Sequence, residues 1–297
     1  MLPIPAPRVS GLTTTTDVPL YWAAYGPAGT PRLLVLHGGP GAHHDYLLPQ
    51  MLELASDHEL VFYDQRGGGR SKTEDRAPIT WRTHVDDLDR VADELRIDPL
   101  VLVGYSWGGL LAMLYAIEAA AGRTRHHPAR LVLIDPAPVT RAFRDDFERE
   151  FLRRQSDALV ARLRAELAAS DLRQRDPDAY RQRAFELSVA GYFANPSATH
   201  DLTPFRVTGR VQQSVWDSLG DFNLLAPGQL DTVHVQTLIV HGRQDPIPLA
   251  SSQAAAAALN AKLVVIEHAG HVPYVEQPLA LFTAIRGFLD SSSPTPY

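Results

Sequence analysis

Residues 100–109 read Leu-Val-Leu-Val-Gly-Tyr-Ser-Trp-Gly-Gly (LVLVGYSWGG), and the chain continues as the apolar stretch WGGLLAMLYAIEAA (107–120). The opening Leu/Val run has no polar alternation, as expected of a strand buried on both faces. The second stretch is apolar on nearly all sides, as expected of a helix packed centrally against a sheet. Between them stands G-x-S-x-G. A turn that sharp has no room for large neighbours, and Gly104 and Gly108 leave the space. Ser106 Oγ is then thrust out at the carboxyl edge of the sheet, over the free N–H groups and positive end of the following helix. Strand, serine turn and helix in this order predict a nucleophilic Ser106 on an α/β scaffold.

The same strand character recurs at Arg32–Leu36, Leu60–Tyr63, Leu131–Ile134, Leu238–Val240 and Leu263–Ile266. Amphipathic helices are predicted through Val85, Leu88, Val91, Ala92 and Leu95, and through Leu47, Leu48, Met51, Leu52 and Ala55. The alanine-rich SQAAAAALN (252–260) reads as a tightly packed helix. Alternating strands and helices predict an α/β fold with a mainly parallel sheet flanked by helices. The rhythm lapses between about 138 and 221, where arginine- and acid-rich helical segments replace strands. In 143–167, Phe143, Phe147, Phe151, Leu159, Leu163 and Leu167 fall near one face. The expected organisation is therefore a core (1–137), a helical cap insertion (138–221) and the rest of the core (222–297). The tail SSSPTPY (291–297) is expected to fray.

Composition narrows the function. The 297 residues carry a formal charge of −6, with no basic excess to neutralise phosphates, which argues against nucleic acid as a partner. Cysteine is absent, excluding disulfides and thiolate chemistry. The start, MLPIPAPRVSG, lacks a basic segment followed by an apolar one, and no apolar run is long enough to cross a bilayer. A cytoplasmic protein without membrane partners is expected. The sequence assigns no oligomeric state.

A serine hydroxyl needs a base, and the base an orienting acid. On this scaffold the acid and then the histidine follow the serine in the chain. LIVHGRQDPIPL (238–249) places Asp245 in a turn after a strand, and LVVIEHAGHVPYVEQP (263–278) places His271 in a loop after the last strand. Glu267 and His268 are the rivals, but they sit directly at the strand end, whereas Gly270 gives His271 freedom to reach. Asp245 also fits a simple turn-capping role before Pro246. Attack on a carbonyl creates an oxyanion that needs N–H donors. Trp107, next after the serine, offers one. HGGPG (37–41), after the strand Arg32–Leu36, offers the other through Gly39, with Gly38 as the alternative. His43-His44 and His126-His127 lack a third ligand at useful spacing, so no metal site and no cofactor are expected.

Taken together, HGGPG (37–41), YDQRGGGRS (63–71), GYSWGG (104–109), HGRQDP (241–246) and GHVPYVEQP (270–278) resemble the proline iminopeptidase family of α/β-hydrolases. The likeness covers about 20–137 and 232–290. It implies an α/β-hydrolase fold with a helical cap, and release of an N-terminal, typically prolyl, residue from peptides. It also implies a Ser106–His271–Asp245 triad and an oxyanion hole of Gly39 and Trp107. DQRGGGRS reads as structural, with Asp64, Arg66 and Arg70 binding one another and nearby backbone.

Members of that family often carry a Glu-Asn-His-Tyr-Phe-like stretch whose glutamate binds the substrate's free amine. Here SVAGYFANP (188–196) keeps Tyr192 and Phe193, and Val189 stands in the glutamate's place. Glu186, one turn away, and Asp217 or Asp221 are the alternative carboxylates. Tyr192, Phe193, Trp216 and Phe222 are candidates for an apolar pocket. The resulting expectation is a serine hydrolase acting on a small peptide. An esterase or lactonase on the same triad, or a ligand-binding sensor on this scaffold, stand as alternatives.

Overall fold

The computed structural model describes residues 3–74, 78–198 and 200–291. All but the first residue of the predicted frayed tail lies outside these. The strands are β1 (Val9–Leu12), β2 (Tyr21–Tyr25), β3 (Arg32–Leu36), β4 (Glu59–Tyr63), β5 (Leu100–Tyr105), β6 (Pro128–Ile134), β7 (Gln236–Gly242) and β8 (Lys262–Ile266). They form one sheet in the order β1-β2-β4-β3-β5-β6-β7-β8. From β4 onward all pairings are parallel, while β1 and β2 join antiparallel at one edge.

Strands β3 to β7 have no polar alternation because both faces are covered. Leu34, Leu36, Leu102, Leu131, Leu133 and Ile239 pack on one face. Leu33, Val35, Val103, Val132, Leu238 and Val240 pack on the other. The helices around the sheet are α1 (Trp81–Glu94), α2 (Trp107–Ala120), α8 (Leu249–Leu259), the single turn α9 (Pro273–Glu276) and α10 (Pro278–Leu289). Helix α2 is buried along nearly its whole length. Between β6 and β7 lie α3 (Arg141–Gln155), α4 (Ala158–Ala169), α5 (Leu172–Arg175), α6 (Pro177–Ser188) and α7 (Gly209–Leu219), with no strand among the described residues there.

Two local expectations are corrected. The predicted helix through Leu47–Ala55 is instead two 3₁₀ turns, His44–Leu47 and Gln50–Ser56. Pro49 interrupts them: it has no N–H to continue the first turn, and it forces Leu48 into an extended conformation. The apolar positions of 143–167 do not share one helix face either. Asp157 accepts the N–H of Leu159 at 2.8 Å and starts α4 afresh after α3. Among the described residues no helix is long and apolar enough to cross a membrane.

Candidate active site

Register sets the site. Leu36 aligns with Gly104, Tyr105 with Ile134, Ile134 with Val240, and Gly242 with Ile266. The residues just beyond these strand ends therefore gather at one edge of the sheet: His37, Ser106, Asp135, Asp245 and His271. Ser106 sits between β5 and α2 at φ 53°, ψ −118°, a backbone conformation an L-residue adopts only where its surroundings impose it. The surroundings do so here. The Ser106 N–H donates to Ile134 O at 2.9 Å, and its carbonyl accepts from Gly109, Leu110 and Ala137. A Cβ on Gly108 would run into the carbonyl of Leu36, so the helix can approach β3 this closely only with glycine there.

Ser106 Oγ donates to His271 Nε2 at 2.9 Å, and His271 Nδ1 donates to Asp245 Oδ2 at 2.9 Å. Asp245 Oδ1 also accepts the N–H of Ile247 at 2.7 Å, so this aspartate caps its own turn as well as holding the imidazole. Burial pushes His271 down to about 4, leaving a neutral imidazole at neutral pH, and pushes the Asp245 carboxyl up to about 7. The rivals point elsewhere. Glu267 and His268 are exposed, not locked beside the sheet, and Glu267 pairs with Arg243 at 2.8 Å.

The HGGPG loop lies across from the serine. Gly38 donates its N–H to the Tyr46 hydroxyl at 2.6 Å, which removes it from the set of free donors. Gly39 adopts φ +58°, a conformation glycine reaches without steric cost. Among the described residues, neither the Gly39 nor the Trp107 N–H has an acceptor in the protein. The loop is tied to α2 by a residue that sequence reasoning passed over. The Gln65 side chain donates to His37 O at 2.8 Å and accepts from the Trp107 indole N–H at 2.8 Å, while its main-chain N–H donates to His37 Nε2 at 3.0 Å. The rest of DQRGGGRS is partly as expected. Asp64 binds Arg70 and His44, and Arg66 reaches Asp87 on α1 at 2.6 and 2.9 Å, with no bond to Asp64 or Arg70 among the described residues.

A cavity of about 350 Å³ opens over Ser106 and His271. Its floor is the HGGPG loop and Trp107. Its walls come largely from the segment between β6 and β7: Phe147, Phe151, Tyr192, Phe205 and Trp216, with Arg144 and Glu148 as the charged pair. Tyr192 and Trp216 thus fall on the cavity as anticipated. Phe193 does not; it is buried against His200, ring centroids 4.2 Å apart. Glu186 does not either. It is fully buried, accepts from Gln182 and from the His200 N–H, and pairs with Arg183 at 3.2 Å. Asp217 and Asp221 are exposed and outside the lining, and Phe222 packs in the core. The carboxylate in the cavity wall is Glu148, which pairs with Arg144 at 2.6 Å. Its i,i+4 spacing to an arginine on an exposed-looking helix gave no cue to that position.

Glu276 is a further residue hidden in the sequence. It accepts the N–H of Gly270 at 2.7 Å and that of Ala194 at 2.8 Å, joining the His271 loop to the segment beside Tyr192. Among the described residues, one cluster has metal-ligand spacing: Asp135, His241 and Asp245, all buried, with ligand-type atoms within 4.8 Å of one another. His241 Nε2 donates to Ile247 O, so its Nδ1 is the bare nitrogen, and that nitrogen accepts the Ser252 hydroxyl; Asp245 Oδ2 is committed to His271. His44 Nδ1 is likewise taken by Asp64 at 2.7 Å, while its Nε2 is buried with no hydrogen-bond partner among the described residues.

With this geometry established, comparison with known proteins adds kinship. The chain is similar to a proline iminopeptidase of Heyndrickxia coagulans, 27% identical over 282 residues, 89% of this chain and 91% of that protein. A proline iminopeptidase of Lactobacillus delbrueckii subsp. lactis is 42% identical, but the match spans only 29% of this chain and 31% of that protein. Among solved structures, VinJ superposes with a TM-score of 0.69 at 22% identity, covering 96% of this chain and 99% of that one. A proline iminopeptidase of Mycobacterium smegmatis gives 0.66 at 21%, covering 95% and 97%. An enol-lactonase of Burkholderia xenovorans LB400 gives 0.65 at 19%, covering 95% and 100%. At these identities the structures speak to the fold alone. The alpha/beta hydrolase family model matches residues 33–285, most of the chain and every strand end that forms the site, so the chain belongs to the alpha/beta hydrolase family.

Proposed function

We propose that the protein is a serine hydrolase that works through an acyl-enzyme, with a free N-terminal prolyl residue as the acyl part of its substrate. The observation that carries the chemistry is the unbroken chain Asp245–His271–Ser106 ending at the cavity floor. Ser106 Oγ attacks the scissile carbonyl while His271 Nε2 takes its proton. Asp245 holds the Nδ1 tautomer and stabilises the imidazolium. The Gly39 and Trp107 N–H groups receive the oxyanion. His271 then gives the proton to the leaving amine as the C–N bond breaks. A water, deprotonated by His271, attacks the ester carbonyl, and the Ser106 oxygen leaves with that proton.

The choice of a prolyl substrate draws on the proline iminopeptidase relatives and on the cavity. Phe147, Phe151 and Trp216 offer ring faces for a compact apolar residue, and Glu148 is a carboxylate for an ammonium. Helices α3 to α7 would then act as the cap over the substrate.

One observation favours a second reading, an ester or lactone substrate on the same machinery. Glu148 is already paired with Arg144, so an incoming ammonium must compete for it. Comparing prolyl-p-nitroanilide, its N-acetylated form and p-nitrophenyl butyrate separates the two, with Ser106→Ala as control. Cleavage of the free prolyl amide well above its acetylated form supports the aminopeptidase. Cleavage of the ester alone supports the second reading. A Ser106→Ala protein that keeps its activity rules out both.

A further inference from the structure

Strands β6 and β7 are parallel neighbours, and each ends in an aspartate-bearing turn: Asp135 directly after β6, Asp245 three residues after β7. Asp135 is fully buried and Asp245 nearly so, at 0% and 7% exposure. Their carboxylate oxygens lie within 4.8 Å of each other. Asp135 is held there firmly. Its backbone sits at φ +40°, its N–H donates to Val240 O at 2.8 Å, and its Oδ1 accepts the N–H of Gly242 at 2.7 Å. The proposed triad uses Asp245 alone and leaves Asp135 without a role.

Two buried carboxylates this close need a cation or a shared proton. The neighbouring groups do not supply the cation. His241 Nδ1 lies 3.7 Å from Asp135 Oδ1, but its Nε2–H goes to Ile247 O and its Nδ1 accepts the Ser252 hydroxyl, which is the neutral tautomer. Arg154 directs its guanidinium at the main-chain carbonyls of Gln244 and Asp245. His271 is taken up between Asp245 and Ser106. The other titratable groups near the pair, Tyr105, Tyr274, Tyr192 and Glu276, bring no positive charge.

Hydrogen bonding says which carboxyl holds the proton. Asp245 already receives two donors, the Ile247 N–H and His271 Nδ1–H. Asp135 receives one, and its Oδ2 is buried with no partner of ordinary hydrogen-bond geometry among the described residues. An orphaned carboxylate oxygen is costly, whereas an O–H at that position has an acceptor in Asp245. We propose that Asp135 is a positioning residue that stands as a neutral carboxylic acid behind Asp245, donating its proton to it, so that His271 faces a carboxyl pair with a single negative charge. Burial and the charge of Asp245 both push the Asp135 carboxyl well above the carboxylate range, in keeping with this state. The role rests on the serine-hydrolase reading. The donated hydrogen bond keeps Asp245 ionised and fixes the oxygen that orients the imidazole.

The test compares full-length wild type, Asp135→Asn, Asp135→Ala and Asp245→Asn. Infrared spectra at neutral pH read the protonated carboxyl directly, independently of any substrate. A protonated-carboxyl band in wild type that disappears in Asp135→Asn is the expected result. A band that persists in Asp135→Asn and disappears in Asp245→Asn overturns the proposal, as does its absence from wild type. Turnover of p-nitrophenyl butyrate gives the second readout. Asp135→Ala is expected to lower kcat about tenfold with little change in KM, and to move the acid limb of the rate profile to higher pH, because Asp245 loses the donor that favours its ionised form. Asp135→Asn, whose amide N–H donates in the same place, is expected to recover most of the rate and return the limb. A limb in Asp135→Ala that superimposes on wild type overturns the proposal. If Asp135→Ala fails to fold, the infrared comparison of wild type with Asp135→Asn still decides. Absence of hydrolysis alongside the expected infrared result defeats the serine-hydrolase reading without touching the proton assignment.

Discussion

The main-chain N–H of His271 donates to the carbonyl of Tyr192 at 2.7 Å, and the Tyr192 ring lies 4.9 Å from the imidazole. The proposed general base is thus positioned from two sides. Its Nδ1 is fixed by Asp245 on the core, and its backbone by a loop of the helical segment. The Tyr105 hydroxyl adds a third restraint, donating to the His271 carbonyl at 2.7 Å. In this arrangement the segment between β6 and β7 both lines the cavity and holds the loop that carries His271.

That coupling runs through Glu276, whose carboxylate accepts from Gly270 on one side and Ala194 on the other. Glu276→Ala leaves both N–H groups without an acceptor in a largely buried place, at about 1–3 kcal/mol each. The expected loss of stability is about 2–6 kcal/mol by urea unfolding, with kcat falling more than KM rises. A variant as stable as wild type would mean that the Tyr192, Tyr105 and Asp245 contacts hold the loop without Glu276.

Gln65 makes the analogous link for the HGGPG loop, joining His37 to the Trp107 indole. Gln65→Leu keeps the volume but strands a buried carbonyl and a buried indole N–H. The same reasoning gives a destabilisation of about 2–6 kcal/mol. Because the two proposed oxyanion donors lie on the two elements it joins, kcat is expected to drop at least tenfold with KM nearly constant. Steady-state kinetics at a temperature well below the melt checks this. A change confined to stability would separate the link from catalysis.

On the proposed mechanism the Asp245–His271 pair sets the pH dependence. Burial pushes Asp245 up to about 7 and His271 down to about 4. The working state needs Asp245 ionised and His271 neutral, so both protons must be gone. As pH falls through about 7 the pair takes up a proton, and kcat/KM is expected to decline toward tenfold per pH unit. A profile recorded from about pH 3 to 9 checks this. A limb centred near pH 4 would show that imidazole protonation alone controls the rate.

Local backbone demands are the part of the fold that is legible in the sequence. Parallel strands buried on both faces leave uninterrupted Val/Leu runs, and the sharp serine turn leaves its glycines, so β3 to β8 and Ser106 were visible. Asp245 and His271 were visible because chain order and strand ends place them. The edge pair β1–β2 lacks that mark: β1 is a four-residue, mostly exposed VSGL, and β2 reads YWAAY, aromatic and alanine residues in place of a Val/Leu/Ile run. Residues that act through long-range contacts left no local mark. Gln65 matters because β3 and α2 come together beside it, Asp135 because β6 and β7 are neighbours, and Glu276 because Ala194 folds back onto it. Glu186 is an alternative in the sequence only because it lies one turn from Val189, which stands in the family's glutamate position. The fold turns it inward to satisfy Gln182, Arg183 and the His200 N–H.

Glu148 carries the sharpest test of substrate class. It lies in the cavity wall on α3, paired with Arg144 at 2.6 Å, and that guanidinium stacks 3.6 Å from the Trp216 ring centroid. The stack anchors the arginine, so the carboxylate can turn from it toward an ammonium while the arginine stays in place. If the substrate's amine binds there, Glu148→Gln removes a charge-assisted hydrogen bond of about 1.5–3 kcal/mol. That corresponds to about a 10- to 100-fold rise in KM for prolyl-p-nitroanilide. Hydrolysis of p-nitrophenyl butyrate, which has no amine, is expected to change less than about threefold on the same protein. An equal effect on both substrates would mean that Glu148 only shapes the wall. No effect on the prolyl substrate would place the amine elsewhere in the cavity and remove the carboxylate on which the aminopeptidase reading depends.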